Sequence, residues 1–165
     1  MDRITLSHGF GPFWRPDSRL LILGSFPSAA SREAGFYYGH PRNRFWQVLS
    51  LLSGEEAPVT TEEKKAFLAR RGIALYDVIF SCSIVGSSDA SIRDAVPADL
   101  CPILAGSRVW KRIFANGKVA QRCFERFQAP LLGLNCIPLP STSPANASYS
   151  LEKLCAAWRE GIGPL

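Results

Sequence analysis

The sequence predicts an α/β protein: one domain spanning residues 1–165, built on a mostly parallel sheet of four strands that is covered by helices on both faces. Three observations carry that expectation. Short apolar runs recur along the chain, beginning with Leu20–Leu23, four consecutive residues of the kind that suits a strand buried on both sides. Stretches with apolar residues at helical spacing separate these runs, and such alternation implies crossover connections and parallel strands. The composition, 47% hydrophobic and 20% charged over 165 residues, is that of a domain with a proper core.

Residues 1–19 include HGFGPFWRPDS, whose glycines and prolines break any regular period. They read as an irregular lead-in that packs Phe13 and Trp14 onto the core. Leu20–Leu23 is the first strand. Gly24 to Trp46 follows as a long loop rich in rings, Phe36, Tyr37, Tyr38, Phe45 and Trp46, and a loop this long in a compact domain is functional or disordered. The aromatics argue against disorder. Phe45, Val48, Leu49 and Leu52 stand at i, i+3, i+4 and i+7, the pattern of an amphipathic helix ending near Gly54.

Thr60 and Glu63 form a capping box for a short helix that presents Phe67 and Leu68 and ends at Gly72. Ile73 to Phe80 reads as the second strand, with Asp77 inside an apolar run where a carboxylate needs a partner. Ser81 to Asp94 is polar and broken by glycine, hence a loop, and Asp99 caps a helical turn after it. Arg108 to Phe114 is the third strand. Lys118 to Phe127 has Ala120, Cys123, Phe124 and Phe127 at helical spacing. Leu134 to Leu139 is the fourth strand, with Pro138 marking an edge or an end. Leu151, Leu154, Cys155 and Trp158 share one face of a last helix. The loops at Gly24 to Arg42, Ser81 to Asp94, Asn116 to Gly117 and Ser141 to Ala147 all follow strands, so they should gather on one rim and form a cleft.

Charge and cysteine usage narrow the classes of partner. A net charge of +5 (19 basic, 14 acidic) suits a polyanion, although a solvated basic surface gives the same number. Five widely spaced cysteines without a CxxC pair disfavour both a disulfide framework and a zinc site, and only two histidines, His8 and His40, are present. A zinc hydrolase or a histidine-rich metal centre is not expected, and these residues offer no ligand cluster for a metal cofactor. Without a basic leader or an apolar run approaching ~18 residues, an intracellular protein away from the membrane is expected, with no obligate protein partner evident.

GSFPS at Gly24 to Ser28, YYGHPRNRFW at Tyr37 to Trp46, GIALYDVIFSCSIVGSSDASIRD at Gly72 to Asp94, FANG at Phe114 to Gly117 and STSPANA at Ser141 to Ala147 together resemble the uracil-DNA glycosylase superfamily. The closer resemblance is to its hypoxanthine-DNA glycosylase branch, family 6. The resemblance implies a three-layer α/β/α sandwich on a four-stranded parallel sheet. It also implies a monofunctional enzyme of base excision repair that flips a deaminated base, hypoxanthine first, out of double-stranded DNA and cuts its N-glycosidic bond. Uracil or xanthine as the base is the nearest alternative. Phe26 stands where other branches carry a catalytic polar group, and STSPANA lacks the histidine of the classical second motif. A catalytically silent damaged-DNA-binding module therefore stays open as a reading from another class.

In the hypoxanthine branch the catalytic asparagine lies in the HPRN stretch, and that motif falls on Asn43. Glycosidic cleavage builds positive charge on the sugar and negative charge on the base, so the site needs aimed dipoles, and an asparagine has both a carbonyl and an NH2. Asparagine is also among the best helix N-caps, which is the plain alternative for Asn43. Tyr38 matches the position of a stacking ring and is the expected floor for the base. The expected base contacts are completed by Ser25 and Phe26, through their backbone, and by Asn116, which can equally serve only its turn. The expected contacts to the DNA backbone are Arg42 and Arg44, or else these are plain surface charges, and Ser143, Pro144, Ala145 and Asn146, whose small side chains let a chain approach phosphate.

Overall fold

The computed structural model describes residues 2–165. The chain runs through β1 (Arg3–Ser7), β2 (Leu20–Gly24), α1 (Ala29–Ala34), α2 (Phe45–Ser53) and α3 (Thr61–Arg71). It continues with β3 (Ile73–Asp77), β4 (Ile79–Val85), β5 (Arg93–Pro97), α4 (Cys101–Gly106) and β6 (Ile113–Asn116). The last elements are α5 (Lys118–Cys123), α6 (Ala129–Leu132), β7 (Ile137–Leu139) and α7 (Leu151–Ile162).

The central sheet has the order β3-β2-β6-β7, and each of its three pairings is parallel. Successive side chains of a strand face opposite sides. Leu20 to Leu23 are each fully buried, so both faces of the sheet are covered, as the unbroken apolar run predicts. α2 and α7 pack together, with Phe45 edge-on to the fully buried Trp158 at 5.9 Å between ring centres. The capping box at α3 forms as expected: Thr60 Oγ1 accepts from Glu63 N at 3.1 Å while Glu63 reaches back to the Thr60 N–H. Asp99 accepts from the Cys101 N–H ahead of α4. No described helix is long and apolar enough to cross a membrane.

A second sheet departs from the sequence-based expectation. β1, β4 and β5 form an antiparallel sheet in the order β1-β4-β5. The lead-in is thus partly a strand, and the Ser81 to Asp94 loop begins as one. The single strand expected over Ile73 to Phe80 is two, divided at Val78 where the chain leaves one sheet for the other. Gln128 holds that turning point, donating from Nε2 to the carbonyls of Val78 (3.3 Å) and Ala98 (2.9 Å). Three smaller shifts follow. The third parallel strand begins at Ile113 because Val109–Lys111 winds as a 3₁₀ turn. The helix from Lys118 runs through a π-turn at Phe124–Gln128 into α6. The fourth strand is confined to Ile137–Leu139, at the edge that Pro138 predicts.

The long loop after β2 also contains α1, with Ser28 as its N-cap and Gly35 at φ 72° closing it. Phe13 does pack on the core, exchanging both backbone hydrogen bonds with Leu75 at 2.9 Å. Trp14 lies against Gly106, where a Cβ would collide with its ring.

Candidate functional site

The loops that follow β2, β3–β4, β6 and β7 converge on one cavity of about 560 Å³. Its wall includes Ser25, Phe26, Tyr38, Asn43, Asn116, Ser143, Pro144 and Ala145 from the sequence-derived set. His40, Asp77, Asp89 and Thr142 line it as well.

Gly24 and Ser25 are fixed first. Their carbonyls accept from Val78 N (2.9 Å) and Ile79 N (3.1 Å), so the turn after β2 is laced to the point where β3 passes into β4. The Phe26 N–H has no hydrogen-bond partner among the described residues and so is available to a guest. Its ring is buried and turned edge-on to His8. Ser25 Oγ donates to Asp89 Oδ1 at 2.9 Å. Asp89 is exposed as a residue, but the burial of its carboxyl end, outweighing Ser25's hydrogen bond, pushes its pKa upward, and Asp77's charge adds to the shift.

Asn43 stands one residue before Arg44, the N-cap of α2, and not at the cap itself, yet its side chain still serves the helix start. Its Oδ1 accepts from the Phe45 N–H at 3.0 Å, which satisfies a free donor at the start of α2. The same oxygen accepts from Thr142 Oγ1 at 2.8 Å. Thr142 is almost fully buried and is in turn clasped by Asn116, whose Nδ2 donates to Thr142 Oγ1 (3.0 Å) and whose Oδ1 accepts from Thr142 N (3.1 Å). With its carbonyl doubly engaged, Asn43, which lines the cavity, has an NH2 with no hydrogen-bond partner among the described residues. The sequence leaves open whether the carbonyl or the amide is free, and the hydrogen-bond pattern leaves the amide. Asn116 borders the cavity, yet its side chain mainly organises Thr142.

Tyr38 sits at φ 54°, a left-handed backbone that a tyrosine rarely adopts and that costs on the order of 1–3 kcal/mol. One face of its ring stacks on Phe45 at 3.9 Å and 18°. The ring borders the cavity, and its hydroxyl is buried without a hydrogen-bond partner. Burial, then Asp77's charge, push the phenol far above its usual pKa against the smaller influence of Asn116's nearby amide, so Tyr38 is a neutral donor.

The two arginines divide. Arg42 is exposed, as a phosphate contact would be. Arg44 instead clamps the loop after β7 from within, its guanidinium donating to the carbonyls of Ser143 (3.0 Å), Asn146 (3.1 Å) and Tyr149. Asn146 is also internal to that loop, donating from Nδ2 to the Ser141 carbonyl at 3.0 Å. Ser143 Oγ accepts from Ala145 N, which leaves Pro144 and the exposed Ala145 at the rim.

Sequence reasoning missed Thr142, Asp89 and His8 as parts of this site and left Asp77 without a partner. That partner is His8: Nε2 and Asp77 Oδ2 are 2.7 Å apart and both side chains are buried. Asp77's position inside an apolar run was the signal; nothing local points to His8.

The family model for the uracil DNA glycosylase superfamily matches residues 12–160. A hypoxanthine DNA glycosylase of Methanosarcina barkeri is 31% identical over 161 residues, covering 93% of this chain and 96% of the relative. One from Methanosarcina acetivorans is 33% identical over 152 residues, covering 90% and 93%. The solution NMR structure of a candidate uracil DNA glycosylase from Methanosarcina acetivorans superposes with a TM-score of 0.77 at 30% identity, covering 95% of this chain and 98% of that one.

Proposed function

The chain belongs to the uracil DNA glycosylase superfamily, and on that premise we propose that it excises a deaminated base from double-stranded DNA, hypoxanthine in preference to uracil or xanthine, leaving an abasic site. The reaction hydrolyses the N-glycosidic bond of a base flipped into the cavity and leaves the strand uncut. The observation that carries this reading is the hydrogen bonding of Asn43, a residue of the cavity wall whose oxygen is held by two donors while its NH2 is left free.

In the transition state the departing base gathers negative charge, and a fixed N–H dipole aimed at it lowers the barrier without reorganising. Asn43 is the donor in that role, and Thr142 with the Phe45 N–H keeps it from turning over. Tyr38, backed by Phe45, offers the base a ring to stack on, offsetting the few kcal/mol of unstacking. The Phe26 N–H is a further donor to the base. Pro144 and Ala145 face the DNA backbone, and Arg42 supplies a phosphate contact.

Labelled duplexes carrying hypoxanthine, uracil or xanthine, treated with alkali after incubation, report excision as strand scission at the abasic site. Asn43→Ala should slow single-turnover excision at least about tenfold, the scale of one hydrogen bond worth roughly 1.5 kcal/mol in the transition state. Wild-type rates in that variant would remove Asn43 from the chemistry. Binding without excision of any of the three bases would favour the silent module.

A further inference from the structure

Asp77 is the most buried carboxylate on the cavity wall, and only one of its oxygens is occupied. Oδ2 accepts a hydrogen bond from His8 Nε2. The tautomer follows from the other ring nitrogen: Nδ1 accepts from the Gly11 N–H at 3.2 Å, so the imidazole proton is on Nε2. Oδ1 has no hydrogen-bond partner among the described residues, and the 6% of the Asp77 side chain that is exposed belongs to the cavity. It lies against Gly24, where any side chain would collide with it. The Tyr38 hydroxyl abuts the same glycine and is also unpartnered. Of these two unpartnered atoms the hydroxyl is itself buried, so Oδ1 is the one that a polar guest can reach.

We propose that Asp77, oriented by His8, reads the edge of the flipped base by accepting the ring N–H that stands beside a carbonyl in hypoxanthine, xanthine and uracil. The inference rests on the glycosylase reading above and names what its cavity selects. Adenine and cytosine carry a bare ring nitrogen at that place, an acceptor that would face the carboxylate acceptor and is rejected. Guanine and thymine share the N–H, so other contacts exclude them. His8 is the positioning residue. Its fixed N–H holds Oδ2 and thereby leaves Oδ1 for the base, although it lies N-terminal to the segment that the family model matches.

Duplexes carrying hypoxanthine or 1-methylhypoxanthine, in which the N–H is replaced by N–CH3, test this by single-turnover excision. Wild type should remove hypoxanthine at least about tenfold faster. Asp77→Ala should slow hypoxanthine and collapse that ratio, whereas Asn43→Ala should slow both bases and preserve it. In Asp77→Asn the amide oxygen is drawn to His8 and the NH2 is forced toward the base N–H, so excision falls at least as far as with alanine. Adding His8→Phe frees that amide to turn its oxygen inward and should recover part of the loss, a rescue that a merely structural histidine would not give. Circular dichroism checks that each variant folds, and the wild-type comparison stands without any variant. Equal rates on the two bases in wild type, or an unchanged ratio in Asp77→Ala, overturn the assignment. Failure of wild type to excise hypoxanthine, uracil or xanthine overturns the glycosylase reading itself, and this one with it.

Discussion

At the scale of single residues, the site depends on groups that aim other groups. Thr142 never needs to touch a base, yet its hydroxyl both receives the Asn116 amide and donates to Asn43. Thr142→Val should therefore slow excision about tenfold with DNA affinity unchanged, and Thr142→Ser should restore it; equal rates for wild type and the valine variant would show that Asn43 is held well enough by Phe45 N alone. Asp77 carries a cost that its position explains. Burial raises its pKa above the unfolded value, and His8 only partly opposes this. A carboxyl group with a raised folded pKa adds stability below its unfolded pKa, near 3.9, and loses it as pH rises through the folded value. Wherever the folded group is ionised, it is thus a burden. Asp77→Asn should melt higher than wild type at pH 7 to 8, with the gap closing on acidification. A lower melting temperature across the whole range would mean that the His8 bond outweighs desolvation.

At the scale of elements, Arg44 separates architecture from contact. It stands at the start of α2 and ties down the loop after β7 through three carbonyls, while its neighbour Arg42 is exposed. Arg44→Met should cost roughly 1.5–3 kcal/mol of stability and speed hydrogen exchange in the loop after β7. Arg42→Ala should leave the melting temperature alone and reduce the salt dependence of DNA binding by about one counterion. The reverse pattern would refute this division of labour. Sequence could not reveal it, because two arginines flanking an asparagine look alike until the carbonyls around them are seen. The elements themselves were legible where burial is two-sided: Leu20–Leu23 reads as a strand because neither face meets water. β1 was not legible. Its residues are mostly exposed, and its pairing with β4 rests on backbone hydrogen bonds that leave no apolar signature.

Across the whole molecule, what the sequence hid is what long-range contact decides. Ile73 to Ile79 is one apolar run interrupted only by Asp77, and the division at Val78 is held by Gln128, fifty positions away. His8 and Asp77 are 69 positions apart, and Thr142 and Asn43 are 99 apart. The Asn43 motif was readable because its residues are contiguous; its supports were not, because folding assembles them. The borders of the parallel sheet have a further consequence. An open strand edge is a template on which another chain can pair and start an aggregate. Here the β3 border is met at Leu75 by Phe13, which uses both backbone groups of that residue, and the β7 border is three residues long with a proline at its centre that has no N–H to offer. An incoming strand finds almost nothing to continue on either side, so the sheet that carries the site is protected from self-association by two residues that never enter the cavity.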